Sequence, residues 1–119
     1  MKIKTEKQNA LSWTLSLEGR LDVDGADAVR EAPAAIPDRA ERIMIDCGAL
    51  EYASIAGLRE LLIARRRFSD GVMRLENVRP RVMETLETTG FRDFFEITGA
   101  EEKPAYMRLS FREFLNHKR

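Results

Sequence analysis

The sequence predicts an α/β domain, a mostly parallel sheet of about four to five strands with helices packed on it. Three observations predict it. Segments with alternating apolar residues take turns along the chain with segments whose apolar residues recur every three or four positions, the order that builds parallel strands joined by right-handed crossovers. Hydrophobic residues make up 44% of the 119, enough to bury one core without staples. No internal repeat or low-complexity linker divides the chain, so residues 1–99 read as one domain and residues 100–119 as an extension.

LSWTLSLEGRLD puts Leu11, Trp13, Leu15 and Leu17 on one side and Ser12, Thr14, Ser16 and Glu18 on the other, as a half-buried strand does. MKIKTEKQ, before it, also alternates and is expected to pair with it through a turn at Gln8–Asn9. Asp22 or Asp24 caps a first helix through Val29 and Ala32, which Pro33 interrupts and Pro37 ends. RIMIDC, bounded by charge and by Gly48, is a buried central strand.

The stretch EYASIAGLREL then turns into a helix over 56–68. Leu58, Leu61, Leu62 and Phe68 share its inner stripe, with Arg59, Arg65, Arg66 and Arg67 on solvated faces. Ser69-Asp70-Gly71 stops it, and VMRLENV is the next strand. Pro80 suits the first turn of a third helix with Val82, Met83 and Leu86 inward, and Gly90 suits its left-handed end. FFEIT is the last strand. Past Gly99, Ser110 and Glu113 form a capping-box pattern ahead of Phe111, Phe114 and Leu115, which predicts a helix from about residue 110. This tail is expected to pack back onto the domain; a lead into a further domain, or docking on a partner, stays open.

Composition removes several function classes. Twenty basic side chains equal twenty acidic ones, whereas phosphate neutralisation calls for a basic excess, so no nucleic-acid partner is expected. One cysteine, Cys47, allows neither an internal disulfide nor a cysteine zinc cage, and it reads as a small buried side chain. The only histidine, His117, lies in the tail, so no nucleophile–base pair or metal cluster assembles and no enzyme activity or cofactor is expected. No apolar run has the length of a membrane span, and the N-terminus lacks a signal-peptide core; a cytoplasmic protein without membrane insertion is expected. Trp13 reads as core or sheet packing and Asp46 as loop support at a strand end.

Ser54 sits at the mouth of the second helix, with the backbone N–H groups of Ala56 and Gly57 beside it. Unpaired N–H groups and the helix dipole favour an anion there. A phosphate would add about −1.5 to −2 charges to an exposed surface, enough to expel an acidic or apolar partner face. Plain capping by Ser54 is the simpler reading, and local sequence alone favours it.

Four stretches, in order, shift that balance: EGRLDVDGADAVREA, RIMIDCGALEYASIAGLRELLIARRR, GVMRLENVRPRVMETLETTG and FRDFFEIT. Together they resemble a STAS domain, the fold of bacterial anti-sigma factor antagonists and of the sulphate-transporter tail. The resemblance implies a protein partner, an anti-sigma factor of the ATP-dependent kinase type. In the family, that kinase phosphorylates a loop serine, and phosphorylation breaks the complex. Gly57 matches the loop glycine; the phosphoacceptor lies two residues earlier, at Ile55; Ser54 falls where the aspartate usually stands. Many family members read YISSAGLR; this chain reads YASIAGLR and keeps only the first serine. The implied partner surface comprises Asp22, Ser54, Ile55, Ala56, Gly57, Leu58 and Arg59. Asp22 serves equally well as a helix cap.

Isoleucine has no hydroxyl, so the usual switch is absent at Ile55. Three readings stand: a constitutive binder that phosphorylation there does not release; Ser54 as a displaced acceptor; or a non-switching scaffold or regulatory domain of a larger protein or complex, transporter-associated or stress-signalling.

Overall fold

The computed structural model describes residues 1–68 and 70–99. Alternation decides which side of the sheet is dry: Leu15, Leu17, Ile43, Ile45, Cys47, Met73 and Leu75 hold alternate positions on three neighbouring strands, and all are buried. The strands are β1 (Lys2–Asn9), β2 (Ser12–Leu21), β3 (Arg42–Ala53), β4 (Val72–Val78) and β5 (Glu96–Gly99). They lie in that order across one sheet, the first pair antiparallel and the rest parallel. Helices α1 (Val23–Glu31), α2 (Ile55–Arg67) and α3 (Pro80–Thr89) make the crossovers, each starting at the carboxyl end of a strand. Leu58, Leu61, Val29, Val82 and Leu86 join the strand residues in one core cluster.

The expected α/β class and order stand, with local corrections. The first turn is at Ala10–Leu11 rather than Gln8–Asn9, because Asn9 Oδ1 accepts the Leu11 N–H at 2.9 Å and closes it. Leu11 is thereby left exposed instead of sharing the inner side with Trp13, Leu15 and Leu17. β3 runs through Ala53 instead of ending at Cys47, since Glu18–Leu21 of β2 pair with Ala49–Ala53 after register shifts. Helix α1 ends at Glu31, and Pro33 falls in a 3-10 turn over Ala32–Ala35. Phe94 belongs to a second such turn, Phe91–Phe94, so β5 begins at Glu96 rather than at Phe94.

Gly90 takes φ 78° and ends α3 as expected. Arg67 is not simply solvated. Its guanidinium donates to the carbonyls of Pro33 (2.7 Å) and Ile36 (3.0 Å) and to Asp38 (2.8 Å), tying the end of α2 to the segment after α1. Ser69 and the helix expected from about residue 110 lie outside the described residues.

Candidate functional site

The carboxyl ends of β2 and β3 stop side by side, and each feeds a helix through a single capping residue. Asp22 caps α1: its carboxylate accepts the Gly25 N–H at 3.1 Å. Ser54 caps α2: its Oγ accepts the Gly57 N–H at 3.1 Å. Ser54 also donates its own N–H to the Leu21 carbonyl at 2.7 Å, so the two capped ends are bonded to each other. The expectation that the Gly57 N–H is open to an anion is therefore corrected, because the serine hydroxyl oxygen already holds it.

Ile55 is the first residue of α2, and its side chain is 53% exposed. Arg59, one turn on, is exposed on the same side of the helix. Leu58 is fully buried and Gly57 is buried, so neither offers side-chain surface to a partner; helical periodicity turns both inward. Ala56 is half-buried and Asp22 half-buried beside Val23, which is 71% exposed. The structure thus brings Asp22, Ser54, Ile55, Ala56 and Arg59 to one edge and withdraws Leu58 into the core.

Sequence reasoning missed a second wall of this edge. Tyr52, opposite Arg20 in the β2–β3 register, lies between two arginines. The guanidinium of Arg20 is 4.4 Å from the ring centre and that of Arg81, on α3, is 5.8 Å away. A groove of about 380 Å³ runs between α2 and α3 here, lined by Ile55, Tyr52, Arg81, Glu84, Thr85 and Thr88 among others. The available signal was the alternation of β3 past Gly48, which pairs Arg20 with Tyr52.

The remaining singled-out residues support structure. Asp46 Oδ1 accepts the Gly48 N–H at 2.9 Å and the Asn77 side-chain amide at 3.2 Å, which holds the turn of backbone at Asn77 (φ 56°). Cys47 is buried, and burial first, then the charge of Asp46, pushes its thiol up to about 12. Trp13 is half-buried against the core, with Lys7 over its ring. Among the described residues, no cluster of three or more His, Cys, Asp or Glu is arranged to hold a metal ion, and no helix is long and apolar enough to cross a membrane.

Comparison with known proteins bears on this arrangement. The family model described as "Mlab, STAS domain" matches residues 5–99. BtrV of Bordetella bronchiseptica, named as an anti-sigma factor antagonist, is 32% identical over 92 residues, which cover 75% of this chain and 79% of that protein. The structure of the anti-sigma factor antagonist SpoIIAA in its unphosphorylated form superposes with a TM-score of 0.69 at 19% identity, covering 85% of this chain and 91% of that one. An anti-sigma factor antagonist from Mycobacterium paratuberculosis gives 0.70 at 18% identity, covering 98% and 93%. These two structural likenesses speak to the fold.

Proposed function

The chain belongs to the STAS-domain family and is like the anti-sigma factor antagonists, and from that premise we propose that it binds an ATP-dependent anti-sigma kinase constitutively. The observation that carries the reading is Ile55. The resemblance puts it at the family's phosphoacceptor position; it is the first residue of α2, half in solvent, and its side chain has no oxygen to phosphorylate. An exposed apolar side chain there supplies contact area where the family places a regulated hydroxyl. Ser54 is a poor substitute acceptor. Its oxygen already accepts from Gly57, and moving the hydroxyl one residue turns it away from Ile55's direction. Asp22, Ile55, Ala56 and Arg59 form the contact edge.

The test uses the purified full chain and the anti-sigma kinase encoded in the same genome. The complex is expected to survive ATP, with no phosphate on Ser54, and Ile55→Ser is expected to make it ATP-sensitive. Absence of binding, or release by ATP with phosphate on Ser54, overturns the reading.

A second reading rests on the same observation, the missing hydroxyl at Ile55. In it the domain is a non-switching scaffold or regulatory part of a larger protein or complex. Co-purification of the chain in a stable complex without any kinase would select it.

A further inference from the structure

Resting on the reading of this edge as a protein-binding surface, we infer that the groove between α2 and α3 takes an acidic segment of the partner. In it, an apolar side chain meets Ile55 and Tyr52 while neighbouring carboxylates meet Arg81 on the groove wall and Arg20, which is not a lining residue but lies over the Tyr52 ring beside it. The charge distribution points this way. Among the described residues, Arg30, Arg67, Arg74 and Arg92 each have a carboxylate within ion-pair distance. Among those same residues, Arg20 and Arg81 have none; other described arginines, Arg59 and Arg66 among them, have none either, and what sets this pair apart is that both lie over the Tyr52 ring. Stacking on a ring leaves the N–H edge of a guanidinium free, and it orders the side chain before any partner arrives.

The rest of the groove fits the same occupant. Among the described residues, Glu84 is the single carboxylate lining it. The first turn of α3, which carries Arg81, has no side-chain cap, so its N–H groups add positive potential on that wall. The Thr85 hydroxyl donates to the Arg81 carbonyl (3.4 Å) and that of Thr89 to the Thr85 carbonyl (2.7 Å), so two of the three threonine hydroxyls on this wall already donate within their own helix. Ile55 and the Tyr52 ring provide an apolar floor, and the two arginines provide the charge. A fork of planar donors beside an apolar floor suits an aliphatic or aromatic residue flanked by Asp or Glu.

The experiment selects binders from a random peptide display library on the immobilised full chain, with no kinase present. Enriched peptides are expected to combine an aliphatic or aromatic residue with acidic ones and to weaken as salt rises. They are expected to bind the Arg66→Glu variant like the parent chain and to lose about tenfold or more on the Arg20→Glu/Arg81→Glu variant. Thr88→Trp, which fills the groove from its exposed rim, must also abolish binding, and thermal midpoints establish that each variant is folded. No enrichment, enrichment without acidic bias, or equal binding to all variants overturns the inference. A kinase that binds the Arg20→Glu/Arg81→Glu chain as tightly as the parent leaves the proposed function standing and removes this inference alone.

Discussion

The backbone N–H of Ser54 donates to the carbonyl oxygen of Leu21 at 2.7 Å. That bond joins the ends of two parallel strands one residue before α1 is capped and at the residue that caps α2. The geometry of this edge is therefore set by backbone, with the side chains of Asp22 and Ser54 turned to holding helices. Val23 and Ile55, each directly after a cap, are left exposed.

Gly57 makes that clamp possible. A Cβ there would fall against the Leu21 side chain and 2.9 Å from the Leu21 carbonyl oxygen. Gly57→Ala is expected to destabilise the domain by about 1–3 kcal/mol, the usual cost of overpacking a filled site. Urea unfolding of the full chain measures it. A change within error would mean that α2 shifts freely away from Leu21.

Ser54 is expected to behave as a cap. Ser54→Ala should cost about 1 kcal/mol, whereas Ser54→Asp should keep nearly full stability, since a carboxylate also caps and suits the positive helix end. Thermal unfolding of the two variants checks the order. No loss for Ser54→Ala would show that the Gly57 N–H bond contributes nothing, and equal losses for both would show that a carboxylate cannot replace the serine cap.

The sheet, its order and the three helices were legible because each core face is written in a clean period. Leu15 and Leu17 alternate on β2, and Leu58 and Leu61 repeat on α2. The Asp22 and Ser54 caps and the Gly90 ending were legible because their chemistry is local. The extent of β3 was not. GALEY contains glycine and reads as loop, and only pairing with the bulged end of β2 makes it strand. The same omission hid the Arg20–Tyr52–Arg81 stack, whose members come from three elements and meet only in the fold. The role of Arg67 was hidden likewise, because its carbonyl partners lie 34 and 31 positions earlier in the chain.

Arg67 and Asp38 should differ sharply although they form an ion pair. The Asp38 side chain is 83% exposed, so Asp38→Ala is expected to cost less than about 1 kcal/mol. Arg67→Ala removes charged donors from the Pro33 and Ile36 carbonyls and should cost about 1.5–3 kcal/mol. Arg67→Lys should recover only part, because an ammonium cannot span both carbonyls and the carboxylate in one plane. Chemical denaturation of the three variants ranks them.

Cys47 is expected to be inert while the domain is folded. In the native chain its thiol holds the proton more tightly than the ordinary 9.0, up to about 12. The raised value means that stability from the neutral thiol is fully present below pH 9 and is lost as pH rises from there toward 12. Iodoacetamide labelling at mildly alkaline pH should be slow for the native chain and rapid once urea unfolds it. Fast native labelling would place the thiol in contact with solvent.

Ile55 separates folding from binding. Half of its side chain is already in water, so Ile55→Ala should change stability by less than about 0.5 kcal/mol. A partner that covers the exposed half would gain roughly 1 kcal/mol from it, so the same variant should weaken binding about fivefold. Ile55→Glu should weaken it far more, because a carboxylate would be desolvated in place of a methyl-rich surface and would repel the acidic segment inferred for the groove. Calorimetric titration with the anti-sigma kinase, alongside thermal midpoints, reads both quantities on the same samples. Unchanged affinity for Ile55→Glu at unchanged stability would move the contact edge away from the start of α2 and leave Ile55 as an incidental exposed residue.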